Sequence, residues 1–247
     1  MRKIIMLIIW AIFLFGYKAK VEPFEVYNIK AAVNGKVIIA NKELEATNIK
    51  NKLIVKIDDI ANKIDLENLQ NQLELLKKQI SNQEIVVKRK EEIYKRYEKL
   101  KTRSQNEKDL KFFDYISSFN QLINLNSKYS NTLASIKKIK ETINKKNIKA
   151  NGYISKIYVK KDDYVNPGSL IADIYDISKQ KLTIYIPIEE INNIQNKEIY
   201  INGKKSDFKI YKIWNVTDNK FVTSYKVELV GEGLKFGEIV NIELKKD

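Results

Sequence analysis

The chain has no cysteine and no histidine, and its 247 residues include only 8 glycines and 3 prolines. Without thiols or imidazoles, Cys-His and Ser-His-Asp catalysis and the usual zinc sites are excluded, which leaves carboxylates as the only source of chemistry. The adjacent acids Asp58-Asp59, Asp162-Asp163 and Glu189-Glu190 do not supply it. Neighbours on a strand point to opposite faces, so none of these pairs makes an acid/base dyad unaided. The sequence therefore reads as a non-enzyme with no catalytic residue, cofactor or metal. Its 45 Lys+Arg against 31 Asp+Glu give a formal charge of +14. That excess is spread along the chain with no aromatic RNA-reading motif beside it, so it is read as a solvated basic surface and no nucleic-acid partner is expected.

Glycine and proline are absent altogether between residues 36 and 151. These two residues interrupt helices at about 1 and 3 kcal/mol each, so such a run predicts long helices. Leu66, Leu69, Leu73, Leu76, Ile80, Val87, Tyr94 and Tyr97 fall on an alternating three-four register broken by Gln83 and Lys90. Tyr115, Phe119, Leu122, Tyr129, Leu133, Ile136 and Ile143 keep a second register, broken by Asn126 and Lys140. Heptads of this kind describe a coiled-coil seam. Between the registers, Thr102-Arg-Ser-Gln-Asn-Glu-Lys108 has no apolar residue, and Ser104-Gln-Asn-Glu107 reads as a capping box. Two helices therefore fold back on each other over 61–148, with the tip at about 101–104, each arm nearly 60 Å long at 1.5 Å per residue.

Arg2-Lys3 precede an apolar run, Ile4 to Tyr17, closed by Lys18 and Lys20. This is the layout of an export signal. As a helix the run spans only about 21 Å of a hydrocarbon core of about 30 Å, so crossing relies on snorkelling lysines or local thinning. A cleaved signal peptide is the alternative, but Gly-Tyr-Lys-Ala-Lys offers no small-x-small site. An uncleaved N-terminal hydrophobic anchor over 1–20 is preferred, with the remainder exported.

A strand motif occurs twice. With Gly35 set against Gly152, the two segments align without a gap: Leu53 with Leu170, Ile54 with Ile171, Ile57 with Ile174, Asp59 with Asp176. In the second copy Asn166-Pro167-Gly168-Ser169 has Pro second and Gly third, as a type II turn requires; the first copy has Lys50 and Asn51 there. One copy before a rod that closes on itself and one after it predict a single small β-sandwich shared by 21–60 and 149–177.

"NGYISKIYVKKDDYVNPGSLIADIYD" and "KLIVKIDDIANKIDLENLQNQLELLKK" resemble the two lipoyl halves of the periplasmic adaptors, or membrane fusion proteins, of the hemolysin-secretion-D type. The resemblance runs from about Ile29 to Leu244. It implies an α+β chain: a long antiparallel coiled-coil hairpin inserted in a split lipoyl-like β-sandwich, followed by a small antiparallel β-barrel over 178–247, on an inner-membrane anchor. Gly152, Pro167 and Gly168 would be structural turns of the second half. Independently, Leu182, Ile184, Ile186 and Ile188 alternate with polar or outward residues, and Ile199 to Ile201, Phe208 to Trp214, Phe221 to Val230 and Ile239 to Leu244 read as further strands.

In adaptors that dock on a TolC-like duct, the hairpin tip carries an Arg, a Leu one turn later and a Ser starting the descending helix. Arg96, Leu100 and Ser104 match that trio, on a connection shorter than the family pattern. The resemblance implies a non-enzymatic adaptor bridging an inner-membrane transporter, ABC-type or proton-driven, and a TolC-like outer-membrane protein. It also implies a homo-oligomeric ring such as a hexamer, a single-pass inner-membrane location and a periplasmic bulk. The rival reading is a membrane-anchored coiled-coil scaffold without a transport role.

Overall fold

The computed structural model describes residues 16–192, 194–217 and 221–246. Up to residue 15, the expected anchor lies outside them. Tyr17–Lys20, expected at the end of that anchor, is instead a strand, β1. Alternation explains it: Ala19 is buried while Lys18 and Lys20 face out, a half-buried strand in four residues.

Strands β2 (Glu22–Lys30), β3 (Gly35–Ala40) and β4 (Asn48–Ile57) precede two helices, α1 (Ile60–Lys99) and α2 (Gln105–Lys146). Strand β5 (Asn147–Ile157) follows α2 with no linker, and then come β6 (Tyr164–Val165) and β7 (Leu170–Pro187). The remaining strands are β8 (Lys197–Ile201), β9 (Lys204–Lys205), β10 (Lys209–Ile213), β11 (Ser224–Gly231) and β12 (Ile239–Lys246). One sheet runs β10-β11-β7-β5-β4-β3-β6 with β2 also paired to β7, and a second runs β1-β12-β8-β9.

The strands on either side of the helices are direct neighbours. β4 and β5 pair antiparallel, Asn48 opposite Tyr153 and Lys56 opposite Asn147. Val37, Ile54, Ile57, Ile154, Ile157, Ile171 and Ile174 are buried in one cluster, to which both copies of the repeated motif contribute. Fully burying each such side chain contributes about 2 kcal/mol. Gly35 and Gly152, the aligned glycines, both have positive φ, +149° and +114°. A Cβ at Gly152 would lie 2.9 Å from the Tyr175 carbonyl oxygen, so glycine is required by close approach as well as by conformation.

A second cluster joins Ala19, Val21, Leu182, Ile184, Ile186, Ile199, Val227, Leu229 and Ile242. Leu182, Ile184 and Ile186 point inward as their alternation predicts, but Ile188, read as the next inward position, begins a 3-10 turn and is exposed. β7 crosses from one cluster to the other without a break, so the expected boundary near residue 177 falls inside a strand.

The helices form an antiparallel hairpin. On α1 every expected seam position from Leu66 to Tyr97 is at least partly buried, the polar breaks included. Gln83 Nε2 donates to the Ser118 carbonyl at 2.8 Å and Lys90 Nζ to that of Asp114 at 3.4 Å, so the breaks bond to the opposite backbone. On α2 the seam differs from expectation at alternate positions. Ser118, Leu125, Thr132 and Ile139 turn inward, whereas Phe119, Asn126, Leu133 and Lys140 are exposed. The buried hydroxyls satisfy themselves on the preceding turn, Ser118 Oγ donating to the Asp114 carbonyl at 3.1 Å and Thr132 Oγ1 to that of Lys128 at 2.9 Å. A hydroxyl bonded this way is inexpensive to bury, so hydrophobicity is a poor guide between neighbouring positions here.

This register is tested by unfolding in urea, followed by far-UV circular dichroism. Thr132→Lys, which buries a charge, is expected to lower stability by about 2 kcal/mol or more, and Leu133→Lys to change it by less than about 0.5 kcal/mol. The reverse order would restore the expected seam.

Candidate functional site at the hairpin tip

The tip is built from the last turn of α1, a turn at Lys101–Arg103 and the cap of α2. Leu100 leaves the helix in extended conformation, its N–H still donating to the Tyr97 carbonyl at 3.1 Å. Ser104 is the N-cap. The Glu107 N–H donates to Ser104 Oγ at 3.3 Å, and Glu107 Oε2 accepts from the Ser104 N–H at 3.0 Å and from its hydroxyl at 3.1 Å. Arg103 adds an ion pair to Glu107 Oε1 at 3.0 Å and lies over the Tyr97 ring at 5.5 Å. Lys111 approaches the same ring at 5.8 Å. The bonds from the Ser104 backbone and hydroxyl, then Arg103, hold the Glu107 carboxyl below the usual carboxylate range.

The three residues picked out by sequence fall into two kinds. Arg96 is exposed, and its guanidinium has no hydrogen bond, ion pair or ring contact among the described residues. Leu100 is 44% exposed one helical turn further on. Together they offer a planar cation without a partner among the described residues and an exposed apolar side chain one turn away, and such a guanidinium can fork onto a carboxylate or carbonyl. Ser104 is also exposed, but its hydroxyl is engaged within the capping box, so it shapes the tip.

Sequence reasoning passed over an aromatic group just below. Tyr94 lies 5.4 Å from Phe112 and 6.2 Å from Tyr115, ring centre to ring centre, and Phe112 lies 5.9 Å from Phe113. Phe113 is 63% exposed, Leu110 is exposed nearer the tip, and Phe119, Ile123 and Leu133 are exposed further along α2. Phe112, Phe119 and Leu133 share one heptad position next to the seam, so the helix carries a second apolar stripe. The signal was present in Phe112-Phe113, large apolar residues off the expected register.

Of the predicted structural turns, Pro167 and Gly168 occupy the middle of a turn in which the Ser169 N–H donates to the Asn166 carbonyl at 2.9 Å, with φ +90° at Gly168. Gly152 lies inside β5, where the ladder to β4 shifts register between Ile49 and Lys52. Among the described residues no group of three or more acidic side chains is gathered to hold a metal, and no helix is long and apolar enough to cross a membrane.

No protein-family model matches the sequence, and no curated protein matches it. Solved structures do share its fold. MacA from Actinobacillus actinomycetemcomitans superposes with a TM-score of 0.76 at 17% identity, covering 93% of this chain and 78% of that one. A MacA-MexA chimera containing the Pseudomonas aeruginosa MexA α-hairpin domain gives 0.71 at 16% identity, covering 94% and 81%. The membrane fusion protein Spr0693 from Streptococcus pneumoniae R6 gives 0.59 at 12% identity, covering 93% and 98%. The chain thus has the fold of the membrane fusion proteins over almost all of its described length.

The capping box gives a pH prediction. A carboxyl lowered by folding contributes stability that is present above its unfolded value and lost as pH falls through the folded one. Amide hydrogen exchange at Ser104 and Glu107 is expected to accelerate as pH falls through the lowered Glu107 range, after correction for intrinsic rates. Glu107→Gln should abolish that pH dependence, and a tip indifferent to both changes would contradict the role given to the box.

Proposed function

We propose that the chain is a non-enzymatic periplasmic adaptor of a tripartite efflux or secretion system, joining an inner-membrane transporter to a TolC-like outer-membrane duct. The reading rests on one observation: a rod about 60 Å long, rooted in neighbouring strands of one core, carries an unpaired Arg96 beside the exposed Leu100 at its far end. A projection of this form delivers a recognition surface to a distant partner while its base remains fixed. In this reading the cluster shared by β3 to β7 is a lipoyl-like sandwich split by the hairpin, and the cluster of β1 and β7 to β12 is the small barrel on the transporter side. The segment preceding β1 is the inner-membrane anchor, which leaves the bulk of the chain in the periplasm.

Several copies would stand side by side as a ring. The second stripe of α2, Phe112, Phe119, Ile123 and Leu133, supports this, because it continues the apolar surface beyond the intramolecular seam. Arg96 would fork onto a carboxylate or carbonyl of the duct and Leu100 would enter a groove between its helices.

The test is a double substitution, Arg96→Glu with Leu100→Asp, in cells. Export is expected to fall at least tenfold while membrane level and helix content stay unchanged. Photocrosslinkers at residues 96 to 107 should capture an outer-membrane protein in the wild type only. Full export by the double variant would remove the docking assignment, and capture of a different partner would favour a scaffold.

A further inference from the structure

A groove of about 610 Å³ opens where β2 and β7 pass from one core to the other. Its floor is a row of side chains on three adjacent strands: Val26 stands opposite Tyr175 across the β2–β7 ladder, and Tyr153 stands opposite Tyr175 across the β5–β7 ladder. Directly paired residues share one face of a sheet. The two tyrosine rings stack with their centres 6.4 Å apart at 27°, giving the groove an aromatic lining. Val26 is 49% exposed beside it, and Ile177 extends the apolar lining. Phe236 also lines the groove, on a loop fastened to the β1–β2 junction by the Gly237 N–H donating to the Val21 carbonyl at 2.9 Å and the Val21 N–H donating to that of Glu238 at 2.8 Å.

The charges at this groove are unequal. Lys20 and Lys181 line it together with a single acid, Glu22. Glu22 stands opposite Lys181 on the ladder, yet no ion pair joins them among the described residues. Lys181, a half-buried residue, has no hydrogen bond, ion pair or ring contact with any described side chain, and the Tyr153 and Tyr175 hydroxyls likewise have no hydrogen-bond partner there. A cation without an anion, beside two aromatic rings, is complementary to a molecule carrying the missing charge on a flat apolar body.

We propose that the groove between β2, β7 and the Phe236 loop is a binding site for small amphipathic anions, a flat ring stacking on Tyr153 and Tyr175 and a carboxylate or sulfonate reaching Lys181 and Lys20. The site does not depend on the adaptor reading, since it uses neither the hairpin nor a second protein.

The probe is naphthalene-2-sulfonate, titrated by calorimetry into the full-length chain held in amphipol, with 2-naphthol as its uncharged counterpart. One saturable site per chain is expected, with at least tenfold preference for the sulfonate. Lys181→Gln should weaken it about tenfold and Tyr175→Leu at least fivefold, both with unchanged circular dichroism, while Phe119→Ser on the hairpin should leave it unaltered. Equal affinity for the two probes, or binding indifferent to Lys181→Gln, would overturn the assignment. Loss of the site as protein concentration rises into the range where copies associate would show the groove to be an inter-chain contact, and would overturn it too.

Discussion

The ladder between β4 and β5 is the constraint on which everything else depends. It joins residues on either side of an excursion from Ile57 to Asn147. Closing an unstructured loop of that length costs on the order of 4 kcal/mol beyond a constant. Ile54, Ile57, Ile154, Ile157, Ile171 and Ile174, each at most 1% exposed, come from both sides of the excursion and bury one shared core that offsets it. The helices lower the cost further by zipping along their own seam, so the excursion returns to its base already ordered.

The root of the hairpin turns that closure into a fixed attachment. The Ile60 N–H donates to Asp58 Oδ1 at 3.0 Å, and Lys146 Nζ donates to the Asp58 carbonyl at 2.6 Å, linking the start of one helix to the end of the other. Asp59, 2% exposed, is flanked by Lys63 at 3.2 Å and Lys56 at 3.8 Å. Polar groups at the base set where the rod begins, and the packed seam above it keeps the rod closed.

Much of this was legible in the sequence because its period and its punctuation agreed. The seam of α1, the capping box at Ser104 and the paired half-motifs each rested on residues whose physical roles have few substitutes. Asn51 shows how the weaker copy kept its geometry: it stands where the other copy has Gly168 and adopts φ 49°, a conformation asparagine tolerates better than most residues. The α2 seam was misread because Phe119 and Leu133 outrank Ser118 and Thr132 in hydrophobicity, and only the i−4 hydrogen bonds of the hydroxyls make the polar choice possible. Strand β1 was hidden because one buried alanine between lysines carries almost no pattern. The groove was invisible for another reason: Val26, Tyr153 and Tyr175 are far apart in the chain and meet only through strand register.

The continuity of β7 has a mechanical consequence. Its 18 residues are shared by both cores, and α2 enters β5 with no intervening residue, so neither junction contains a slack segment that could act as a swivel. A sideways force on the far end of the rod is therefore converted to torque at its foot and conveyed along the shared strand to the other core, as a crank turns a shaft.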